Sequence, residues 1–311
     1  MSPIRVANAP VSWGALEIEG VNQKPLTYDV VLDEMAETGY AGTELGDWGF
    51  MPTDPDILRA ELDRRGLAML GAFVPIRLRD PDALASGIEH ALRVARLLAA
   101  VVPDGDRRQG PFVVVADDNV TDPVRALNAG RITTAMMLPD DEWSGFASRA
   151  EAVARAVRDE TGLRAVFHHH TGGWVETPAE TDRFLELTDP AVIGLLFDTG
   201  HYFFGAGEAG PSVVEAMNRW GGRIEYVHFK DASPEVARRS REEGWDYLQS
   251  IRAGVFSELG QGGVDFPAVI RWLEQRGYDG WVIVEQDVLP GMGTPKESAR
   301  RSREYLASLG L

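Results

Sequence analysis

Three histidines stand in a row, His168, His169 and His170, directly after the apolar run 163–167. The next two apolar runs end in the same chemistry, one in Asp198-Thr-Gly-His201 and one in His228-Phe-Lys-Asp231. A fourth, 281–284, runs into Glu285, Gln286 and Asp287. Five of the six histidines in the chain thus sit at the exits of short apolar segments, and His90 alone stands apart. Packing rarely asks for that pattern. Imidazole nitrogen mixed with carboxylate oxygen suits a divalent Mn, Co, Fe or Zn ion. In a parallel α/β sheet the carboxyl ends of the strands are where ligands bind.

These groups meet only if the segments that carry them are parallel neighbours. Runs of four to eight apolar residues flanked by glycine read as buried strands. Such runs fall at 4–9, 41–45, 67–74, 112–116, 163–169, 192–197, 223–229 and 281–284. Helical spacing fills 28–38, 81–100, 140–160, 178–188, 212–220, 266–276 and 296–309, and a further helix opens at Asp54 with Pro55 in its first turn. Strict strand–helix alternation implies a parallel sheet, and eight repeats predict a closed (β/α)8 TIM barrel. No linker divides the chain, so residues 1–311 are read as one barrel domain. A polar loop is expected at 104–110, and a long insert at 233–263 carries Arg238, Arg239, Arg241, Trp245 and Arg252. Loops of that length in a compact domain serve as lids or interfaces, or are merely tolerated.

With 31 basic and 48 acidic residues, the formal net charge is −17. A surface of that sign repels phosphate backbones, so nucleic acid is not an expected partner. The absence of cysteine rules out disulfides and thiolate ligands. There is no apolar leader and no run long enough to cross a bilayer, so a cytoplasmic location without a membrane is expected. No Gly-x-Gly-x-x-Gly follows the first strand, so no dinucleotide cofactor is expected.

The four motifs, together with Gly42-Thr-Glu44-Leu-Gly and Gly260-Gln-Gly-Gly-Val-Asp-Phe266, resemble the inosose dehydratases. These belong to the xylose isomerase-like sugar isomerase/epimerase superfamily. The likeness runs over nearly the whole chain. It implies that His168, Asp198, His228 and Glu285 hold one divalent metal ion, Mn, Co, Fe or Zn. The common superfamily pattern has Glu at the first of these positions, where this chain has His168. The run after the first strand, Pro10-Val-Ser-Trp-Gly, also departs from the family's usual one. Strand alternation puts His168 and His170 on one face and His169 on the other.

The activity so implied is loss of water from a keto-inositol or a related keto-sugar. It proceeds by removal of a proton α to the carbonyl and departure of a β-hydroxyl through an enolate. The expected partner is therefore a small keto-polyol, with homo-oligomerisation open. Candidates for the acid and base are Glu44, His170, His201 and Lys230. Three of them have a plainer role: Glu44 a turn carboxylate, His201 a hydrogen-bond partner of a ligand, Lys230 a bridge to Asp231. Trp13 could wall a substrate ring or belong to the core. The competing activity is isomerisation or epimerisation, which needs two bases flanking one carbon. A nuclease of the same fold would need a basic groove, and a metal-binding protein without catalysis stays open.

Overall fold

The computed structural model of the chain describes residues 4–14, 26–103, 109–289 and 292–311. Residues 104–108 of the expected polar loop lie outside them. The strands of the main sheet are β1 (Arg5–Asn8), β2 (Gly42–Thr43), β3 (Ala68–Met69), β4 (Gly71–Ile76), β5 (Phe112–Asp117), β6 (Arg164–His168), β7 (Ile193–Asp198), β8 (Ile224–Phe229) and β11 (Trp281–Val284). Two short strands, β9 (Asp231–Ala232) and β10 (Phe256–Ser257), form a separate antiparallel pair.

The sheet order is β3-β2-β1-β11-β8-β7-β6-β5-β4, with parallel pairing throughout. Its two ends, β3 and β4, are halves of one barrel strand broken at Leu70. One half pairs with β2 and the other with β5. The chain itself therefore closes the cylinder, and the expected (β/α)8 barrel forms. Strands β5 and β7 are buried at every position, as strands covered by helices on the outside and side chains within must be.

Helices start where side chains can satisfy the free N–H groups of the first turn. Asp54 accepts from the N–H of Asp56 and Ile57 ahead of Pro55–Asp63. Thr177 with Glu180, and Ser212 with Glu215, form reciprocal caps for Pro178–Leu187 and Val213–Trp220. The apolar faces of the long helices Leu84–Val101 and Asp140–Thr161 close over the barrel with Trp143, Phe146, Phe167 and Phe184 in contact beneath them. Phe146 and Phe167 are edge-to-face, a geometry favoured by the ring quadrupoles.

Two expectations need correction, and the open choice for Trp13 is decided. The second strand is two residues, Gly42–Thr43, not 41–45, although the N–H groups of Glu44 and Leu45 still donate to the carbonyls of Asn8 and Gly71 as the chain reaches the barrel mouth. Trp13 belongs to the core: it is buried, and its Nε1 donates to Glu34 at 2.7 Å. The insert is not a loop. Residues 233–263 hold the helices Pro234–Glu243 and Tyr247–Arg252 together with β10. They pack Ala237, Tyr247, Ile251 and Phe256 with Phe204 into a second apolar cluster above the barrel. Two of its arginines are spent locally, Arg238 on Glu242 and Arg239 on Glu243, one helical turn along, while Arg241 reaches Glu208 outside the insert.

Candidate metal centre and substrate cavity

Strands β6, β7, β8 and β11 end side by side, and each ends in a donor. His168 closes β6, Asp198 closes β7, His228 lies one residue before the end of β8, and Glu285 follows β11. All four are buried. His168 Nε2 and His228 Nδ1 lie 3.9 and 3.8 Å from Asp198 Oδ2, and His228 Nδ1 lies 3.3 Å from Glu285 Oε1.

The ring nitrogens are already sorted. His168 Nδ1 is 2.6 Å from the carbonyl of His169, which can only accept, so Nδ1 carries the hydrogen and Nε2 keeps its lone pair. His228 Nε2 faces Glu44 Oε1 at 3.1 Å, which leaves Nδ1 toward the two carboxylates. Asp198 Oδ1 is occupied by the N–H groups of Gly200 and His201, but Asp198 Oδ2 has no hydrogen-bond partner, and neither has His228 Nδ1. Buried polar atoms are almost always paired. Two orphans facing one another, flanked by His168 Nε2 and Glu285, are a donor set that fits a divalent cation. Ligand atoms of His168, Asp198 and His201 fall within 4.8 Å of one another, as do those of Glu44, His228 and Glu285.

The charges tell the same story. Burial pushes the Asp198 carboxyl up to about 6. Burial alone would lower His228, but Glu285 and Glu44 outweigh it and hold the ring up at about 10. Burial would likewise raise Glu285, yet His228 and Lys230 outweigh it and hold the carboxyl well below its ordinary range. Three carboxylates packed around one imidazole call for positive charge. His168 is neutral, driven down by burial and by His170 and His228.

The candidate acid–base groups separate in space. Glu44, His170 and Lys230 line one cavity above the ligand atoms, with Ala9, Pro10, Val11, Phe73, Asn119 and the insert's Tyr247 and Ile251. His201 is not among its lining residues. Its Nε2 is 3.3 Å from Lys230 Nζ and its Nδ1 is 3.0 Å from Thr171 Oγ1. Lys230 does not bridge to Asp231. It reaches Glu285 Oε2 at 3.2 Å and faces Asp287 at 3.6 Å, while Asp231 accepts from the N–H groups of Gly260, Gly262 and Val264. Burial would lower Lys230, but Asp287, Glu285 and Asp198 outweigh it and keep the ammonium charged. The Thr171 N–H also points to His201 Nδ1, at 3.3 Å, so the ring is held between Thr171 and Lys230. Gly200 permits the approach: a Cβ there would stand 2.7 Å from Lys230 Cγ.

His170 packs on His201 with ring centroids 3.7 Å apart, and burial followed by Lys230 drives it down to about 3. Its Nδ1 lies 2.8 Å from the carbonyl of Thr171, and the Asn119 amide nitrogen lies along the same ring edge, 2.8 Å from Nδ1 and 3.2 Å from Nε2. His169 points the other way, where its Nε2 accepts from the Asp198 N–H at 3.1 Å. The alternation expected for the three histidines is therefore the arrangement seen.

Two supports of this site escaped the sequence reading. Arg125 and Glu180, both fully buried, pair at 2.7 Å, and Arg125 Nε also donates to the Gly173 carbonyl. Glu176 accepts from the N–H of Gly130 and of Gly172. Together they brace the turn that follows His170. The residue after Asn119, Val120, has φ 63, an unfavourable conformation for a β-branched side chain. Strain of this kind gathers at functional sites. A positive φ at valine leaves no mark in sequence.

A family model described as xylose isomerase-like TIM barrel matches residues 32–309. An inosose dehydratase of Geobacillus kaustophilus (strain HTA426) is 34% identical to the chain, covering 99% of it and 96% of that relative. The chain belongs to the inosose dehydratase family, within the xylose isomerase-like TIM barrels. A second inosose dehydratase, from Lacticaseibacillus casei, is 31% identical over 97% of this chain and 96% of its own. Among solved structures, a probable 3-DHS dehydratase, AsbF, from Bacillus anthracis superposes with a TM-score of 0.68 at 14% identity, covering 98% of this chain and 99% of that one. The IOLI protein with a binding zinc atom gives 0.65 at 16% identity, covering 98% of each. At those identities the solved structures share the fold of this inosose dehydratase family member. No helix among its described residues is long and apolar enough to cross a membrane.

Proposed function

We propose that this protein is a hydro-lyase that removes water from a cyclic keto-polyol of the inosose class, with one divalent metal ion held by His168, Asp198, His228 and Glu285. The orphaned pair Asp198 Oδ2 and His228 Nδ1, set among the strand-end donors, carries the reading. The full-length relatives named inosose dehydratase give it its reaction. Bound there, the ion supplies Lewis acidity to the substrate's carbonyl and lowers the cost of negative charge on that oxygen.

The chain's own groups do the rest. Neutral His170 offers Nε2 as the base for the α-proton, with Nδ1 beside the Thr171 carbonyl. Lys230 presents an ammonium to the negative charge that develops on elimination, and His201 holds it in place. Glu44 orients His228, as a carboxylate behind a ligand histidine does. Val11, Phe73 and Ile251 limit water at the reacting carbons. The proton that His170 takes and the hydroxide that departs balance as one water.

Protein loaded with Mn or Co, incubated with 2-keto-myo-inositol, should yield a product lighter by one water in mass spectrometry. A rearranged product that retains every oxygen would establish an isomerase instead.

A further inference from the structure

Asp287 stands two residues beyond Glu285, and its one role so far is to help keep Lys230 charged. It is 4% exposed and lines the same cavity. Its Oδ2 has no hydrogen-bond partner; Lys230 Nζ, at 3.6 Å, is turned to Glu285 instead. Ion-paired at that distance but not hydrogen-bonded, a buried carboxylate oxygen keeps an acceptor position that another donor can fill. Unlike Asp198, Asp287 is in neither group of clustered metal-ligating residues. Its position in the cavity wall points to a donor that arrives with the substrate.

The other side of the cavity is supplied by the insert. Tyr247, 3% exposed, is the first residue of its helix, set by the Asp246–Gln249 reciprocal cap, and its ring meets His170 edge-on at 5.9 Å. Ile251, one turn later, lines the cavity too. Among the described residues the lining holds Glu44, Asp47, Glu285 and Asp287 against Lys230, and no arginine. A carboxylate or phosphate on the ligand would meet like charge there, whereas a neutral ring of hydroxyls would find acceptors.

We propose that Asp287 accepts a hydrogen bond from one hydroxyl of a neutral polyol ring, with Tyr247 closing the cavity over that ring, and so sets which polyols this site takes. The inference rests on the dehydratase reading for its reaction but not for its binding. It assigns specificity to a residue outside the metal set and to a segment outside the barrel.

The test has two arms on metal-loaded protein. In the first, calorimetry measures myo-inositol binding to wild type and to Asp287→Asn, whatever the turnover. We expect binding about tenfold or more weaker in the variant, with metal content unchanged. In the second, kcat/KM is measured for 2-keto-myo-inositol and its monodeoxy analogues. Wild type should reject one analogue by about tenfold or more, and Asp287→Asn should lose that discrimination through KM. Equal myo-inositol affinity, or an unchanged pattern across all analogues, overturns the proposal. Failure of wild type to dehydrate any substrate, with the affinity difference intact, overturns the reaction and leaves the recognition standing. If Asp287→Asn does not fold, Asp287→Glu keeps the charge near Lys230 while displacing the oxygen, and both measurements apply to it.

Discussion

Glu44 Oε1 lies 3.1 Å from His228 Nε2, a contact between residues 184 positions apart. It fixes the ring so that Nδ1 faces Asp198 and Glu285. We propose that Glu44 positions His228 as a ligand, in place of the acid or base role its strand-end position first implies. Glu44→Gln should weaken metal affinity by about 10- to 100-fold, measured by competition with a chelating dye. Unchanged affinity with lost turnover would return Glu44 to the acid–base set.

The histidine triplet separates by role. His168→Ala should lose the metal in elemental analysis, because its Nε2 faces Asp198. His170→Ala should keep the metal and lose turnover. The opposite pattern would shift the ligand register by two residues.

Removal of the ion should destabilise the fold, since four buried donors then face one another without it. Addition of Mn or Zn at 100 times the dissociation constant should raise stability by about 2.7 kcal/mol, read as a rise in Tm over chelated protein. An identical Tm in both states would show that these donors hold nothing.

The Arg125–Glu180 pair is fully buried and also holds the Gly173 carbonyl. Arg125→Met leaves a carboxylate unpaired in the interior, and a cost of about 3–5 kcal/mol is expected in denaturant unfolding. A change under about 1 kcal/mol would show that the neighbouring N–H groups of Glu176 and Thr177 suffice for Glu180.

Burial raises the Glu176 carboxyl from 4.5 to about 7, against the opposing pull of Arg125 and two glycine N–H groups. A carboxyl raised in the fold favours folding fully below its unfolded value, and that contribution is lost as pH rises from about 4.5 through about 7. Glu176→Gln removes the ionisation but leaves one glycine N–H without an acceptor. The variant should be less stable than wild type at pH 5 and approach it at pH 8. A gap that is constant with pH would show that Glu176 does not titrate in that window.

Much of the site could be read along the chain because its rules are local. Apolar runs of strand length, punctuated by glycine and by Asp-Pro or Thr-Pro helix starts, mark the strand–helix alternation. Parallel strands with helical returns bring all carboxyl ends to one face, so His168, Asp198, His228 and Glu285 had to converge. The two-residue period of a strand separated His169 from its neighbours. What no local rule reaches is which nitrogen each imidazole presents, and to whom. That depends on Glu44 meeting His228, on Lys230 choosing Glu285 over the adjacent Asp231, and on the insert folding back to place Tyr247 on His170. Trp13 entered the core and Pro10 and Val11 entered the cavity for the same reason. Hydrogen bonds and packing between distant segments are decided only when the barrel closes, because until then neither partner has the other within reach.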